Sequence, residues 1–318
     1  MAGRFHNMGH VSIIMYHYVR DLKNSRYPRI KGLNIDAFKE QLKYILKHYQ
    51  VIAMQDLFEA ISAKNNLPEN SLLLTFDDGY KDHFDFVFPV LRGLGLQGSF
   101  FPSAGIIYEH KVLDVNKIHF ILASAAGEDA LIKEIYSLMD KYRAEYRLEP
   151  NEHYYSQYAR ENRFDTKDVI FIKRLLQKGL PETLRNIIVN ALFLKYVSES
   201  EEDFSKELYM SIDQIKSMKV QGMYIGSHGW GHYWLDTLSR DQQVNEVQHS
   251  LRFLKDIGCD LFQLAMCYPF GAYNETLISV LKEHHCTLAL TTEARAADLA
   301  TDSPFALPRL DTTDICYV

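Results

Sequence analysis

SLLLTFDDGY, Ser71 to Tyr80, joins an apolar run to two adjacent acids and a glycine. Three consecutive leucines between a turn signal and a glycine read as a short strand buried on both faces, the kind found inside a parallel sheet. Asp77 and Asp78 therefore stand at the edge of a hydrophobic core. Two adjacent carboxylates there stay ionised only with a cation or donors close by. Taken alone, Asp-Asp-Gly reads equally as an Asx-turn closing a strand at the surface.

The segments around this stretch repeat a strand–helix rhythm. VSIIMYHYV, Val11 to Val19, is dense in β-branched and apolar residues and reads as a first strand, with His17 between two tyrosines at its carboxyl end. A polar, basic loop follows over residues 21–31. Asp36 is expected to cap a helix running to about Tyr49, with Phe38, Leu42, Ile45 and Leu46 on one face. Val51 to Ala53 reads as a short strand and Gln55 to Ala63 as a helix. Beyond Ser71–Tyr80 the spacing predicts a helix from about Lys81 to Leu94 and a strand at Gly98 to Phe101. Alternation of this kind points to a parallel sheet with helical crossovers.

From about Val112 to Met218 the strand signal vanishes. Amphipathic stretches at Ala130 to Tyr146, Lys167 to Gln177, Pro181 to Tyr196 and Ser211 to Met218 predict a helical insertion whose apolar faces pack on the sheet or on another chain. Strands resume at Met223 to Ser227, Leu264 to Tyr268 and Thr287 to Thr291. Helices are expected at Asp241 to Ile257, started by Ser239 and ended by Gly258, and at Glu275 to Glu283.

The chain has 318 residues, ordinary globular composition and a formal net charge of −6 with no basic block, which argues against a nucleic-acid partner. Cys259, Cys267, Cys286 and Cys316 have no metal-finger spacing and are expected to be buried, reduced thiols. The opening MAGRFHNMGH lacks the apolar core of a leader, and Val11 to Met15 is too short to span a bilayer, so the expectation is a cytoplasmic protein.

IGSHGWGH, Ile225 to His232, places His228 and His232 four residues apart just after a strand. Gly229 and Gly231 argue against a helix, where each would cost about 1 kcal/mol, and for a turn in which the imidazoles converge. HxxxH alone reads as well as two unrelated surface histidines. Joined to TFDDG it supplies one Asp and two His, a facial set that suits a divalent ion, and leaves a second carboxylate to hold and deprotonate water. MCYPFGAY, Met266 to Tyr273, ends a strand in a Tyr-Pro-Phe-Gly turn whose N–H groups could face a cleft, or form an ordinary turn.

TFDDG at Thr75 to Gly79, SHGWGH at Ser227 to His232 and YPFG at Tyr268 to Gly271 together resemble the polysaccharide deacetylases, the NodB-homology or carbohydrate esterase family 4 enzymes. IIMYHYV and the closing LPRLD look like the branch acting on poly-N-acetylglucosamine. The resemblance covers about Val11 to Pro102 and Met223 to Asp311. It implies an α/β fold, a distorted (β/α) barrel carrying the helical insertion of residues 112–218 within one catalytic domain, and metal-dependent loss of acetate from an N-acetylated sugar. Carried over by position, Asp77 matches the catalytic base, and Asp78, His228 and His232 match the ligands of one divalent ion, zinc first with nickel, cobalt or iron as alternatives. The Phe270 backbone N–H matches the oxyanion donor.

Two departures stand out. Cys267 occupies the place of an arginine that orients the base in many members, which makes Arg309 of LPRLD the candidate substitute, with a surface ion pair as its other reading. The histidine motif that supplies the general acid is not evident. His17 is the candidate, since His284 and His285 end a helix at the opposite rim. Trp230, Tyr233, Trp234 and Tyr273 are expected either to stack on a sugar or to pack at the rim. The expected substrate is a lipid- or nucleotide-linked glycan precursor, or a polysaccharide, used in surface-glycan synthesis. The insertion offers a surface for peripheral membrane contact or oligomer formation. O-deacetylation, hydrolysis of a non-sugar amide, and sugar binding without turnover are the competing readings.

Overall fold

A computed structural model of the chain describes residues 9–63, 65–162 and 165–315. Cys316 lies outside the described residues, as does most of the opening decapeptide. The described residues form two compact units. One comprises the chain up to Asp21, Gly32–Glu109 and everything from Lys206 onward; the other comprises Leu22–Lys31 and His110–Ser205.

The first unit is built on parallel strands. β1 (His10–Tyr16) pairs along six residues with β2 (Ser71–Asp78), from Val11↔Ser71 to Tyr16↔Phe76. β2 pairs with β3 (Ser99–Pro102), and β3 with β4 (Tyr224–Ile225). A parallel bridge from Ser227 to Met266 leads to β5 (Ala265–Cys267), which pairs with β6 (Leu288–Leu290). A second bridge, Leu290 to Leu307, leads to β7 (Leu310–Asp311), and β7 returns to β1 at Ile14↔Leu310. The ring therefore closes, with single bridges at two of its joins. This is the distorted (β/α) barrel that the resemblance implies.

Every residue of β2 is buried, as its unbroken apolar run requires. Ile13, Leu73, Phe101, Ala265, Cys267, Leu288 and Leu290 share one core cluster. Because the strands are parallel, their carboxyl ends gather at one rim, and side chains from distant stretches of sequence meet there.

Several boundaries moved for identifiable reasons. The first long helix, α1, covers Ile35–His48 and is capped by Asn34, whose side chain accepts from the Asp36 N–H; Asp36 sits in the first turn. The helix expected over residues 81–94 is present and continuous from 81 to 93, but its middle, His83–Val87, is a π-helical turn that leads into α2 (Phe88–Gly93). Pro89 has no N–H to give and its ring crowds the carbonyl four residues back, so the Phe88 N–H bonds to His83 five residues back instead. α3 (Arg240–Asp256) begins at Ser239 in a full capping box with Gln242, and α4 (Glu275–Glu283) has the expected ends.

The second unit is helical, with Asp114–Ser124, Glu128–Tyr146, Asn151–Tyr158, Lys167–Arg174 and Glu182–Tyr196 as its α-helices. The basic loop at residues 22–31 belongs to it. Tyr27 packs edge-on against Phe120 and Phe204, and Arg29 Nε donates to the Ala123 carbonyl at 2.9 Å. Lys31 pairs with Asp165. Among the described residues no helix is long and apolar enough to cross a membrane.

Candidate functional site

β2 delivers both acids to the rim, and the two buried carboxylates are held by different partners. Asp77 is 1% exposed and meets Arg309 in a two-point fork, Nη1 to Oδ1 at 3.0 Å and Nη2 to Oδ2 at 2.7 Å. Arg309 is itself buried. Its Nε donates to the Thr291 carbonyl at 2.8 Å, and Nη1 also lies 3.2 Å from the Thr75 hydroxyl and from the Cys267 sulfur. Burial acts to raise the Asp77 carboxyl pKa. The Arg309 charge, then His228, overcome that and bring it down to about 2. Asp77 is thus ionised at neutral pH. The guanidinium occupies one lone-pair site on each oxygen and leaves others on the carboxylate.

Asp78 turns the other way. Its backbone is left-handed (φ 69°), as are those of Gly79 (φ 76°), His232 (φ 56°) and Phe270 (φ 59°). A non-glycine residue there costs of order 1–3 kcal/mol and persists only where its surroundings impose it. Asp78 Oδ1 lies 3.3 Å from His228 Nε2 and 3.3 Å from His232 Nε2. Its Oδ2 accepts the Tyr80 hydroxyl at 2.5 Å. The Tyr80 phenol stays protonated, because burial first and the Asp78 charge second push its pKa well above 10.

The histidine loop is fixed on both flanks. His228 Nδ1 is 2.8 Å from the Cys267 carbonyl, which can only accept, so the proton sits on Nδ1 and the Nε2 lone pair points at Asp78. Glu246 of α3 accepts the Trp230 and Gly231 N–H groups on one oxygen, each at 2.9 Å. The Ser227 hydroxyl takes the Gly229 N–H at 3.2 Å and meets Ser250 of α3 at 2.7 Å. Burial pulls His228 down, but Asp77 and Asp78 reverse this and raise it. At His232 burial prevails and lowers it.

Asp78, His228 and His232 form the one cluster among the described residues that could hold a metal ion. The local chemistry fits one. Asp78 Oδ1 is buried with no hydrogen-bond partner, and two imidazole nitrogens converge on it. Three inward-facing lone-pair atoms repel one another unless a cation lies between them. A proton on His228 competes with a metal for the same place, so metal uptake releases protons.

The third motif forms a 3₁₀ turn, Pro269–Gly271. Pro269 has no N–H, and Gly271 and Ala272 donate to the Tyr268 and Pro269 carbonyls, so the Phe270 N–H is the donor that the turn's own carbonyls do not use. The Phe270 ring stacks on Trp234, centroids 4.4 Å apart at 4°, and meets His232 edge-on at 4.7 Å. His17 follows directly on the carboxyl end of β1. Its carbonyl bonds the His83 ring at 2.7 Å.

The other aromatics divide. Trp230 packs between Tyr108 and His249, over Gly105, and Tyr273 stacks on Tyr268. Tyr233 is exposed. Cys267 and Cys286 are buried free thiols, and Cys259 is a partly buried one. Tyr80 and Glu246 were invisible to the motif reading. Glu246 leaves one trace in the sequence: it falls with Gln243, Val247 and Ser250 on the buried face of α3.

A closed parallel barrel that brings two imidazoles and a carboxylate together at its rim, beside a second carboxylate gripped by arginine, defines an α/β barrel with a three-residue set able to hold a metal ion. The family model described as polysaccharide deacetylase matches residues 175–289, a span that includes both histidines and β5 but neither aspartate. A poly-beta-1,6-N-acetyl-D-glucosamine N-deacetylase of Escherichia coli K12 is 34% identical over 80 residues, 25% of this chain and 12% of that protein's length. Among solved structures, the Streptococcus pyogenes deacetylase PplD has 17% identity and a TM-score of 0.59, covering 95% of this chain and 92% of its own. IcaB from Ammonifex degensii has 19% identity and a TM-score of 0.56, covering 96% and 93%. The match to the polysaccharide deacetylase model thus covers about a third of the chain, and the solved deacetylases share its fold along nearly its whole length.

Proposed function

We propose that this protein is a metal-dependent deacetylase that hydrolyses the N-acetyl group of an amino sugar in a glycan or glycan precursor. Asp78, His228 and His232 would hold one divalent ion, zinc before nickel, cobalt or iron. The observation that carries the reading is the partnerless Asp78 Oδ1 facing two imidazole Nε2 atoms, with the ionised Asp77 beside it. The E. coli relative's activity on poly-N-acetylglucosamine supports this substrate class.

When bound, the ion supplies Lewis-acid chemistry, acidifying water and polarising an acetyl carbonyl. Asp77, kept ionised and oriented by Arg309, accepts a proton from the attacking water on a carboxylate oxygen. The new bond is water oxygen to acetyl carbon. The Phe270 N–H donates to the carbonyl oxygen as it gains negative charge. His17, on the same rim, gives a proton to the sugar nitrogen as the C–N bond breaks. Its electron pair leaves with the nitrogen, so the products are acetate and a free amine.

The test is acetate release from β-1,6-linked N-acetylglucosamine oligomers by protein stripped with a chelator and reloaded with zinc. Reloading should restore turnover, and Asp77→Asn should keep the zinc but release no acetate. Zinc-loaded protein that binds the oligomers yet frees no acetate would replace this reading with a sugar-binding one.

A further inference from the structure

The two oxygens of Asp78 are not equivalent. Oδ1 faces both imidazoles, whereas Oδ2 is taken by the Tyr80 hydroxyl at 2.5 Å. A charge-assisted O–H···O⁻ bond of that length is among the strong ones. The backbone favours it. Two successive left-handed residues, Asp78 and Gly79, fold the chain back so that the ring two positions after the first returns to that carboxylate. A Cβ on Gly79 would come within 2.8 Å of Pro102 Cβ, so the turn requires glycine.

The ring itself is clamped. Tyr18 stacks on it at 4.3 Å and Tyr209 at 6.0 Å. The Tyr80 and Tyr209 backbones form an antiparallel bridge, and the Met210 N–H donates to the Gly79 carbonyl at 3.0 Å. The phenol therefore arrives at Oδ2 in one orientation.

We propose that Tyr80 is a positioning residue that reserves Asp78 Oδ2, so that the carboxylate offers a single oxygen to the ion and a coordination position stays open for the substrate acetyl group. The inference rests on the metal reading given above. A carboxylate can grip a divalent ion through one oxygen or two, and a catalytic site with three protein ligands works because one place remains open. Freeing Oδ2 would let Asp78 fill that place.

The test uses the full chain loaded with cobalt, whose visible d–d band weakens as coordination number rises. Tyr80→Phe keeps the ring and its stacking and removes only the hydroxyl. The variant should bind cobalt about 10- to 100-fold more weakly, the usual effect of losing a partner to a metal ligand. At saturation its band should be weaker than wild type, and kcat for acetate release should fall. A saturated Tyr80→Phe protein with the wild-type band would overturn the inference, whatever its affinity. Should the variant not fold, zinc-edge X-ray absorption of the wild-type protein answers the same question: one carboxylate oxygen on zinc is expected, and a two-oxygen carboxylate overturns the inference. Wild-type protein that takes up neither metal removes the metal reading and this inference with it.

Discussion

Replacing Arg309 with methionine tests the arrangement around Asp77 most directly. Methionine keeps much of the side chain's length and volume and removes the charge. Both partners of the pair are at most 1% exposed, so no water replaces the lost guanidinium. Breaking a buried ion pair from one side typically costs about 3–5 kcal/mol, because the survivor is left charged and desolvated. A second route gives a compatible figure. The Asp77 carboxyl falls from 3.8 to about 2 although burial pushes it upward, a net preference for the ionised form worth roughly 2–3 kcal/mol. Arg309 must supply more than that net, since it also offsets the burial.

The two tryptophans of the chain, Trp230 and Trp234, both lie in the barrel unit, so their fluorescence follows its unfolding in urea without a label. Arg309→Met and Asp77→Asn should each lower the unfolding free energy of the metal-free protein by about 3–5 kcal/mol. The double variant, with neither charge, should be no worse than either single one, a coupling of about 3 kcal/mol or more. If the two losses simply add, or if Arg309→Met costs less than about 1 kcal/mol, the pair is not the desolvated unit argued for here.

Two further substitutions probe the loop that carries the histidines. Glu246→Ala removes the acceptor shared by the Trp230 and Gly231 N–H groups and should weaken zinc binding about 10- to 100-fold, measured by competition with a chelating dye. Glu246→Gln keeps an acceptor oxygen and should recover most of that loss; equal affinities for the two variants would exclude a positioning role. Gly105→Ala would set a Cβ 2.6 Å from the Trp230 ring, which Tyr108 and His249 hold from other sides. It should cost roughly 1–3 kcal/mol and shift Trp230 emission, and an unchanged melting temperature would show that the ring has room to move.

How much of this could be read from the sequence depends on whether the controlling interaction is local. The strand at Leu72–Leu74, the Ser239 cap and the ends of α4 follow from residues a few positions apart, and the structure keeps them. Pro89 sat in plain view inside a helical pattern, but its effect, a widened π turn that leaves His83 buried, needed the hydrogen-bond register to be seen. Two barrel joins rest on single bridges, and β4 and β7 are two residues long, too short for any periodicity to declare them. The candidate site divides along the same line. Asp77, Asp78, His228 and His232 were legible because paired acids at a strand end and histidines among glycines are locally odd. Tyr80 and Glu246 were not, because a tyrosine after a turn and a glutamate in a helix are locally ordinary. What distinguishes Glu246 is its register. It shares a stripe with Gln243, Val247, Ser250 and Leu254, all buried. A carboxylate on such a stripe cannot remain unpaired, since desolvation without donors would cost several kcal/mol. Its donors must then come from whatever packs on α3, and in this chain that is the backbone between the two histidines. Polar residues on an apolar helical stripe are therefore a sequence signal for the support of a site, even where they say nothing about its chemistry.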